Sequence, residues 1–151
     1  MGTGEIKKRS EIDEIIAGCK VCRLAAIAGG EPYIIPISFG YDGKNLYLHT
    51  GLKGRKITAF EENPRVCFEF EEGVELIEGG DDPCSWSFSF RSVIGYGEIS
   101  ELYGDKKRAG LNRIMEHYSG REWEFDEEMM PKTRVWMIEI SEISGRSHGE
   151  K

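Results

Sequence analysis

The sequence predicts a mainly β fold in which six or seven mostly antiparallel strands are flanked by three or four helices. Two observations carry this prediction. Short apolar or alternating runs recur along the 151 residues with turn signals between them, and they do not alternate regularly with long helices. This pattern favours an antiparallel barrel or sandwich over a doubly wound sheet, and the chain contains neither a GxGxxG nor a P-loop motif.

The first third of the chain predicts one helix and then three strands. A capping-box pattern at residues 10–13 begins the helix, and isoleucines follow at helical spacing. The runs 21–28, Pro32–Phe39 and Asn45–His49 have strand character, and Asp42-Gly43 is a hairpin signal. We therefore expect a three-stranded antiparallel meander, in which two prolines indicate edge or irregular pairing.

The remainder predicts further strands around a second long helix. In chain order, the elements are a helix over 51–62, a strand over 65–70, a glycine-rich acidic loop over 71–82, one or two strands over 86–102, a helix over 105–118, a short helix over 125–130 and a final strand over 135–143. The ends, 1–9 and 146–151, are expected to be flexible, which leaves a single domain over 10–145.

The charge is acidic overall but unevenly distributed. The formal net charge is −7, which disfavours nucleic acid and anionic membrane surfaces as partners. Residues 61–82 contain nine acidic residues against one basic residue, whereas Lys53, Arg55 and Lys56 form a basic cluster just before them. No apolar run is long enough for a transmembrane helix, and the first residues contain no signal-peptide core, so we expect a cytoplasmic protein.

Cys19 and Cys22 have the CxxC spacing, but their context does not favour redox or metal chemistry. A redox CxxC usually opens a helix, whereas this one follows a helical pattern and leads into a strand. A zinc site would need two further ligands, and the histidines do not have ligand spacing. We therefore expect buried thiols and no metal site.

The segment His49–Lys56 gives the clearest indication of chemistry. A strand ends there and a helix begins after glycines, so the first N–H groups of the helix and three cations would lie together. A phosphate is the simplest partner, with Gly54 allowing close backbone approach and Thr50 supplying a hydroxyl. The alternative is a solvated basic patch that Glu61 and Glu62 balance from the same helix.

These residues resemble the FMN-binding split barrels related to pyridoxamine 5'-phosphate oxidase. Residues 50–56 followed by Asn63-Pro64 stand in register with the oxidase pattern T-N-x-x-S-R-K and its helix ending in N-P, with Gly51 and Gly54 replacing the Asn and Ser. The H-x-x-x-x-G-x-K pattern of the nitroimidazole-resistance flavoproteins resembles His49–Lys56 better. Residues 23–27, 32–39 and 84–97 resemble the family's first two strands and its W-S-x-x-Y-R-S-V-x-G-x-G strand pair.

The resemblance implies a homodimer of split barrels with FMN in a groove between the subunits. It places Thr50, Arg55 and Lys56 on the phosphate, with Lys53 as a nearby charge and Gly54 as the point of close approach.

The resemblance also implies which residues surround the flavin ring. The strand Pro36-Ile37-Ser38-Phe39 is expected to hydrogen-bond the polar edge of the ring, with Phe39 and Trp86 as stacking walls. His49 is expected near flavin and substrate, where it would supply a proton. The residues expected from the second subunit or on the substrate side are Trp86, Arg91, Ser92 and Val93.

Plainer alternatives stay open for three of these side chains. Trp86 would then be a core aromatic, Arg91 would pair with an acid of residues 69–82, and His49 would be a half-buried strand residue. For function, the resemblance implies an FMN-dependent oxidoreductase that reduces a small, flat aromatic acceptor such as a nitroimidazole. The alternatives are a non-catalytic flavin carrier or sensor, a vitamin B6 phosphate enzyme of the same fold, and binding of haem or deazaflavin.

Overall fold

The computed structural model describes residues 3–149 and confirms the mainly β fold, with eight strands rather than six or seven. Helices α1 (Arg9–Gly18), α2 (Arg55–Glu62) and α3 (Gly104–Ser119) flank the sheet. None of the helices in residues 3–149 combines the length and the apolar character needed to cross a membrane. The strands are β1 (Thr3–Ile6), β2 (Cys22–Ala28), β3 (Glu31–Ile37), β4 (Gly40–Tyr41), β5 (Asn45–Thr50), β6 (Arg65–Ile77), β7 (Ser87–Leu102) and β8 (Arg134–His148).

The sheet follows the order β3-β2-β6-β7-β8-β5-β4, with β1 paired to β8, and every pair is antiparallel. Its two end strands, β3 and β4, are neighbours in the chain, because only Ser38 and Phe39 separate them. The curled sheet is therefore joined at its ends by a covalent link rather than by a hydrogen-bonded ladder, which is the architecture of a split barrel.

The core lies inside the curled sheet and follows from alternation along the strands. In β6, Val66, Phe68 and Phe70 are buried, whereas the residues between them are partly exposed. Helix α1 adds Ile15 and Ile16 to the same cluster. Burial of apolar side chains of this size contributes about 1.5–3 kcal/mol each.

Two glycines allow β7 to pass close to its neighbours. A Cβ at Gly95 would lie 2.2 Å from Cζ of Phe68, and one at Gly97 would lie 2.3 Å from the carbonyl oxygen of Glu139. Both distances are far below a normal contact, so a larger residue would push β7 away from β6 or β8. The register of β7 against β8 shifts at this point, between Tyr96 and Gly97.

The predicted three-stranded meander is wrong in one of its two pairings. Strand β2 pairs with β3 as expected, but β5 pairs with the short strand β4 and with β8. The predicted turn is present, because Oδ1 of Asp42 accepts hydrogen bonds from the N–H groups of Lys44 and Asn45. The hairpin that it closes is β4–β5, since β3 already ends at Ile37.

Several element boundaries also differ from the prediction. The segment 71–82, predicted as a loop, is strand as far as Ile77, because it pairs with β7. The helix predicted over 51–62 begins at Arg55, and residues 125–130 are not an α-helix. Parts of the ends expected to be flexible are paired, since Thr3–Ile6 pairs with residues 145–148. Residues 1–2 and 150–151 lie outside the described residues.

Candidate functional site

The basic cluster lies where β5 leads into α2. Lys53 and Arg55 are exposed and Lys56 is half-buried. None of the three forms an ion pair with any residue in 3–149. Three neighbouring cations without an internal counter-charge are open to an external anion.

The two acids of α2 do not balance this cluster. A carboxylate oxygen of Glu61 lies 3.0 Å from the guanidinium of Arg134, which also pairs with Glu101. Oε1 of Glu62 accepts a hydrogen bond of 3.2 Å from the N–H of Gly29. The solvated patch balanced by its own helix is therefore not what the structure shows.

Gly54 caps the start of α2 in a conformation that favours glycine. Its φ is 144° and its ψ is 177°, and no side chain caps the helix. A Cβ at this position would meet nothing within 4 Å, so glycine is needed for the backbone conformation rather than for space. The first N–H groups of a helix have no intrahelical acceptor, and they carry partial positive charge. This end of α2 therefore adds to the attraction that the basic cluster exerts on an anion.

Arg55 links the cluster to the edge strand β3. Its guanidinium carbon lies 4.5 Å from the ring centroid of Tyr33, a cation–π contact. Strand β3 is the last strand of the sheet path, so one of its edges pairs with no strand in residues 3–149. The cluster and this unpaired edge therefore belong to one surface.

The hydroxyl of Thr50 has internal partners. It donates to the carbonyl oxygen of Gly51 at 2.9 Å and accepts from Nε1 of Trp136 at 3.0 Å. Thr50 is also buried. As the structure stands, this hydroxyl ties the end of β5 to β8 and has no proton left to donate to a phosphate.

His49 is exposed at the end of β5, immediately before the basic cluster. Partial desolvation and, next, the positive charge of Lys56 hold the pKa of His49 below its ordinary value. The neutral imidazole is therefore favoured at neutral pH.

The residues of segment 36–39, which are predicted to run beside the flavin ring, differ in exposure. Pro36 and Ser38 are exposed and Ile37 is half-buried, so this part of the edge can meet a ligand. Phe39, in contrast, is fully buried, and its ring packs 4.9 Å from that of Phe70 between centroids. A stacking wall made of Phe39 is therefore excluded by the packing of the core.

The residues expected from the second subunit or on the substrate side differ in exposure. Nε1 of Trp86 donates to the carbonyl oxygen of Gly80, and the Trp86 side chain is exposed. Val93 is fully buried, and Ser92 beside it is half-buried. Trp86 is thus not a core residue, whereas Val93 is one and cannot touch a ligand without repacking.

Arg91 pairs with acids, which was the plainer alternative. Its guanidinium contacts Glu72 and lies 3.2 Å from Glu11. Arg91, its two carboxylates and Phe90 line a cleft of about 390 Å³. Because two carboxylates already neutralise Arg91, this cleft is less suited to an anion than the cluster on α2.

His49 and Arg91, one from each predicted group, lie beside opposite ends of the long strand β8. His49 pairs with Val135 at one end of β8, whereas Arg91 pairs with Ser147 near the other end. At about 3.3 Å per residue, roughly 30–40 Å of strand separates them. Within one chain, His49 and Arg91 are therefore far apart along β8.

Two tyrosines near the site were not identified from the sequence. Tyr33 alternates with Ile35 on β3, which places both on the half-buried face, so this pattern could have identified Tyr33. The hydroxyl of Tyr118 accepts a hydrogen bond of 3.1 Å from the N–H of Phe39. That contact joins residues 79 positions apart, and no local pattern predicts it.

Cys19 and Cys22 are not activated as thiolates. All four are free thiols, and burial raises the pKa of Cys19 and of Cys22. Raised values leave little thiolate for nucleophilic or redox chemistry. In residues 3–149, no group of three or more His, Cys, Asp or Glu side chains is placed to hold a metal ion.

Known proteins of similar structure share this fold. A candidate 5-nitroimidazole antibiotic resistance protein from Bacteroides thetaiotaomicron is 28% identical, with a TM-score of 0.86 over 97% of this chain and 87% of its own. An FAD and heme binding protein from Mycobacterium smegmatis is 18% identical, with a TM-score of 0.85 over 96% and 74%. An FAD-binding protein from Mesorhizobium loti is 23% identical, with a TM-score of 0.70 over 99% and 100%.

Sequence comparison adds a partial relative and a family. An uncharacterized protein of Rhizobium meliloti is 31% identical over 67 residues, and the chain covers 44% of that relative's length. The sequence profile of pyridoxamine 5'-phosphate oxidase matches residues 8–147. Since this match covers 140 of the 151 residues, the chain belongs to the pyridoxamine 5'-phosphate oxidase family.

Proposed function

We propose that the protein is an FMN-binding oxidoreductase that reduces a small, flat aromatic acceptor such as a nitroimidazole. The observation that carries the proposal is the basic cluster Lys53, Arg55 and Lys56, which has no carboxylate partner within residues 3–149 although α2 contains two acids. The FAD-binding proteins of the same fold support a flavin as the occupant, and the relative named for 5-nitroimidazole resistance supports a nitroimidazole as the acceptor.

The chain's residues fit the phosphate end of FMN. Arg55 and Lys56 would neutralise the phosphate, the N–H groups after Gly54 would donate to it, and Lys53 would add charge. The hydroxyl of Thr50 is left out, because it is held by Trp136 and Gly51. The exposed backbone at Pro36 and Ser38 would face the polar edge of the ring.

When bound, FMN would supply one- and two-electron transfer chemistry that no side chain provides. His49 would deliver the accompanying proton to the acceptor. Because its pKa is lowered, the imidazolium is a stronger acid than usual but is a minority form at neutral pH. We therefore expect turnover to increase as the pH falls toward the pKa of His49.

A homodimer would complete the site. The outer face of the sheet exposes apolar side chains in one cross-strand row, in which Ile34 pairs with Ala25, Ala25 with Cys67 and Cys67 with Tyr96. Ile34 is 67% exposed and Tyr96 is 40% exposed. A second copy on this face would bury them, and it could bring its own Trp86 to the first copy's cluster. Sedimentation of the 17.1 kDa chain at dimer mass tests this, with Ile34→Glu expected to give monomers.

The first experiment measures FMN binding by the quenching of flavin fluorescence. Loss of one charge-assisted contact costs about 1.5–3 kcal/mol, so Arg55→Ala should weaken binding by roughly 10- to 100-fold. Arg108→Ala is the matched control, because Arg108, which lies on α3, pairs with Glu127 and its loss should leave binding unchanged. A wild-type protein that binds no FMN contradicts the proposal.

The second experiment separates an enzyme from a carrier. Anaerobic protein with NAD(P)H is mixed with a nitroimidazole, and acceptor loss is followed by absorbance. His49→Gln should retain FMN and slow acceptor reduction by roughly 10²-fold or more. Binding of FMN without turnover of any of several nitroaromatic acceptors would instead favour a flavin carrier or sensor.

A further inference from the structure

The link between the two ends of the sheet, Ser38 and Phe39, pairs with no strand in residues 3–149. Strand β3 makes its last register pair at Ile37, with Cys22, and β4 begins at Gly40. Between them, the N–H of Phe39 donates to the hydroxyl of Tyr118 at 3.1 Å. A donor that the sheet cannot satisfy is thus satisfied by a side chain of α3.

The same hydroxyl is also anchored on its other side. Tyr118 donates to the carbonyl oxygen of Lys20 at 2.6 Å, in the segment between α1 and β2. The neighbouring His117 holds this segment as well, with Nε2 2.6 Å from the carbonyl oxygen of Cys19. The ring of His117 lies 4.3 Å from that of Phe39 between centroids. The end of α3 therefore ties the Phe39 backbone to the base of β2.

We propose that Tyr118 is a positioning residue of the flavin site, which fixes the backbone of Ser38 and Phe39 where the edge of β3 would meet the flavin ring. The proposal rests on the proposed function, since Tyr118 would act through this backbone and not by touching the cofactor. The packing of Phe39 against Phe70 holds the side chain, whereas the hydrogen bond to Tyr118 sets the direction of the peptide group. Precise peptide direction is what a hydrogen bond to a ring edge requires.

The test uses Tyr118→Phe, which removes the hydroxyl and keeps the ring. Tyr103→Phe is the matched control, because the hydroxyl of Tyr103 donates only to Glu101 at the exposed start of α3. In protein without added flavin, NMR hydrogen exchange should show a protected Phe39 amide in the wild type and at least roughly 10-fold faster exchange in Tyr118→Phe. Tyr103→Phe should not change it.

With FMN added, Tyr118→Phe should bind roughly 5- to 10-fold more weakly, because the Ser38–Phe39 peptide is no longer held in place and must be ordered on binding. It should also shift the visible flavin absorbance band, which a purely structural role would not move. Unchanged affinity and an unchanged band in Tyr118→Phe overturn this inference while FMN binding by the wild type upholds the proposed function. If the Phe39 amide of the wild type is not protected, its hydrogen bond to Tyr118 is not formed. This result overturns the inference even if the variant does not fold. A wild-type protein that binds no FMN overturns the proposed function instead.

Discussion

The guanidinium carbon of Arg55 lies 4.5 Å from the centre of the Tyr33 ring, so the edge strand β3 orients a cation of α2. Replacing Tyr33 with Leu should free Arg55 and weaken FMN binding roughly 2- to 5-fold, since an exposed cation–π contact is worth about 0.5–1 kcal/mol. Fluorescence titration measures the change. Trp123→Leu is the control, because it removes a contact of the same type with Arg121 far along the chain. Equal affinity in both variants would contradict the role given to Tyr33.

Gly54 should tolerate a side chain less well than Gly51. Alanine at Gly54 would have to adopt a φ of 144° or unwind the start of α2, at a cost of about 1–3 kcal/mol. Gly51→Ala adds the same methyl group where no contact lies within 4 Å and φ is not positive. Thermal unfolding should show a lower Tm for Gly54→Ala alone, together with weaker FMN binding. A Tm for Gly54→Ala equal to that of Gly51→Ala would refute this.

Lys56 should influence the titration of His49. The pKa of His49 lies below 6.5 because of desolvation and then Lys56, so Lys56→Gln should raise it. NMR titration of the His49 ring protons measures the shift. Lys44→Gln removes a cation at the opposite end of β5 and should leave the pKa of His49 unchanged. A fall in the pKa after Lys56→Gln would have the wrong sign for this account.

Glu69 should make stability depend on pH. Its Oε1 is buried and has no hydrogen-bond partner among the described residues. Burial, followed by the neighbouring Glu71, raises the pKa of Glu69 from 4.5 to about 7. Between about pH 4.5 and pH 7, Glu69 is therefore protonated in the folded protein but ionised in the unfolded chain. Its contribution to the free energy of unfolding is lost as the pH rises through this range.

Glu69→Gln keeps the neutral form at every pH. Between pH 5 and pH 8, the free energy of unfolding should fall by about 1 kcal/mol less in Glu69→Gln than in the wild type, once solvent screening is allowed for. Denaturant unfolding at both values measures this. Glu98→Gln, at an exposed position of β7, should follow the wild type. Parallel losses in Glu69→Gln and the wild type would show that Glu69 does not carry the effect.

The fold class was predictable because the signals for strands and turns are local. Alternation in 65–70 and the Asp42-Gly43 turn lie within a few residues, and both are present. The pairing of β5 was not predictable, since its partner β8 lies near the other end of the chain. Alternation of apolar and polar residues predicts a strand but does not indicate which strand pairs with it.

In the candidate site, too, local features were predictable and long-range contacts were not. The basic cluster and Gly54 were found because a charge run and a glycine-rich turn are local features. The burial of Phe39 was missed, because Phe70 and His117 determine it from distant elements. Arg91 could be assigned to its acids only once β6 and β7 were paired, which places Glu72 opposite it.

Strand β8 is the partner of β1, β5 and β7, and this has a consequence for folding during synthesis. The ribosome makes β8 after the other seven strands. Strands β2, β3, β6 and β7 can associate before β8 is made, whereas β1 and the β4–β5 hairpin cannot pair with β8 until then. A nascent chain that has not reached Arg134 therefore exposes unpaired strand edges, and completion of the barrel is a late, long-range event.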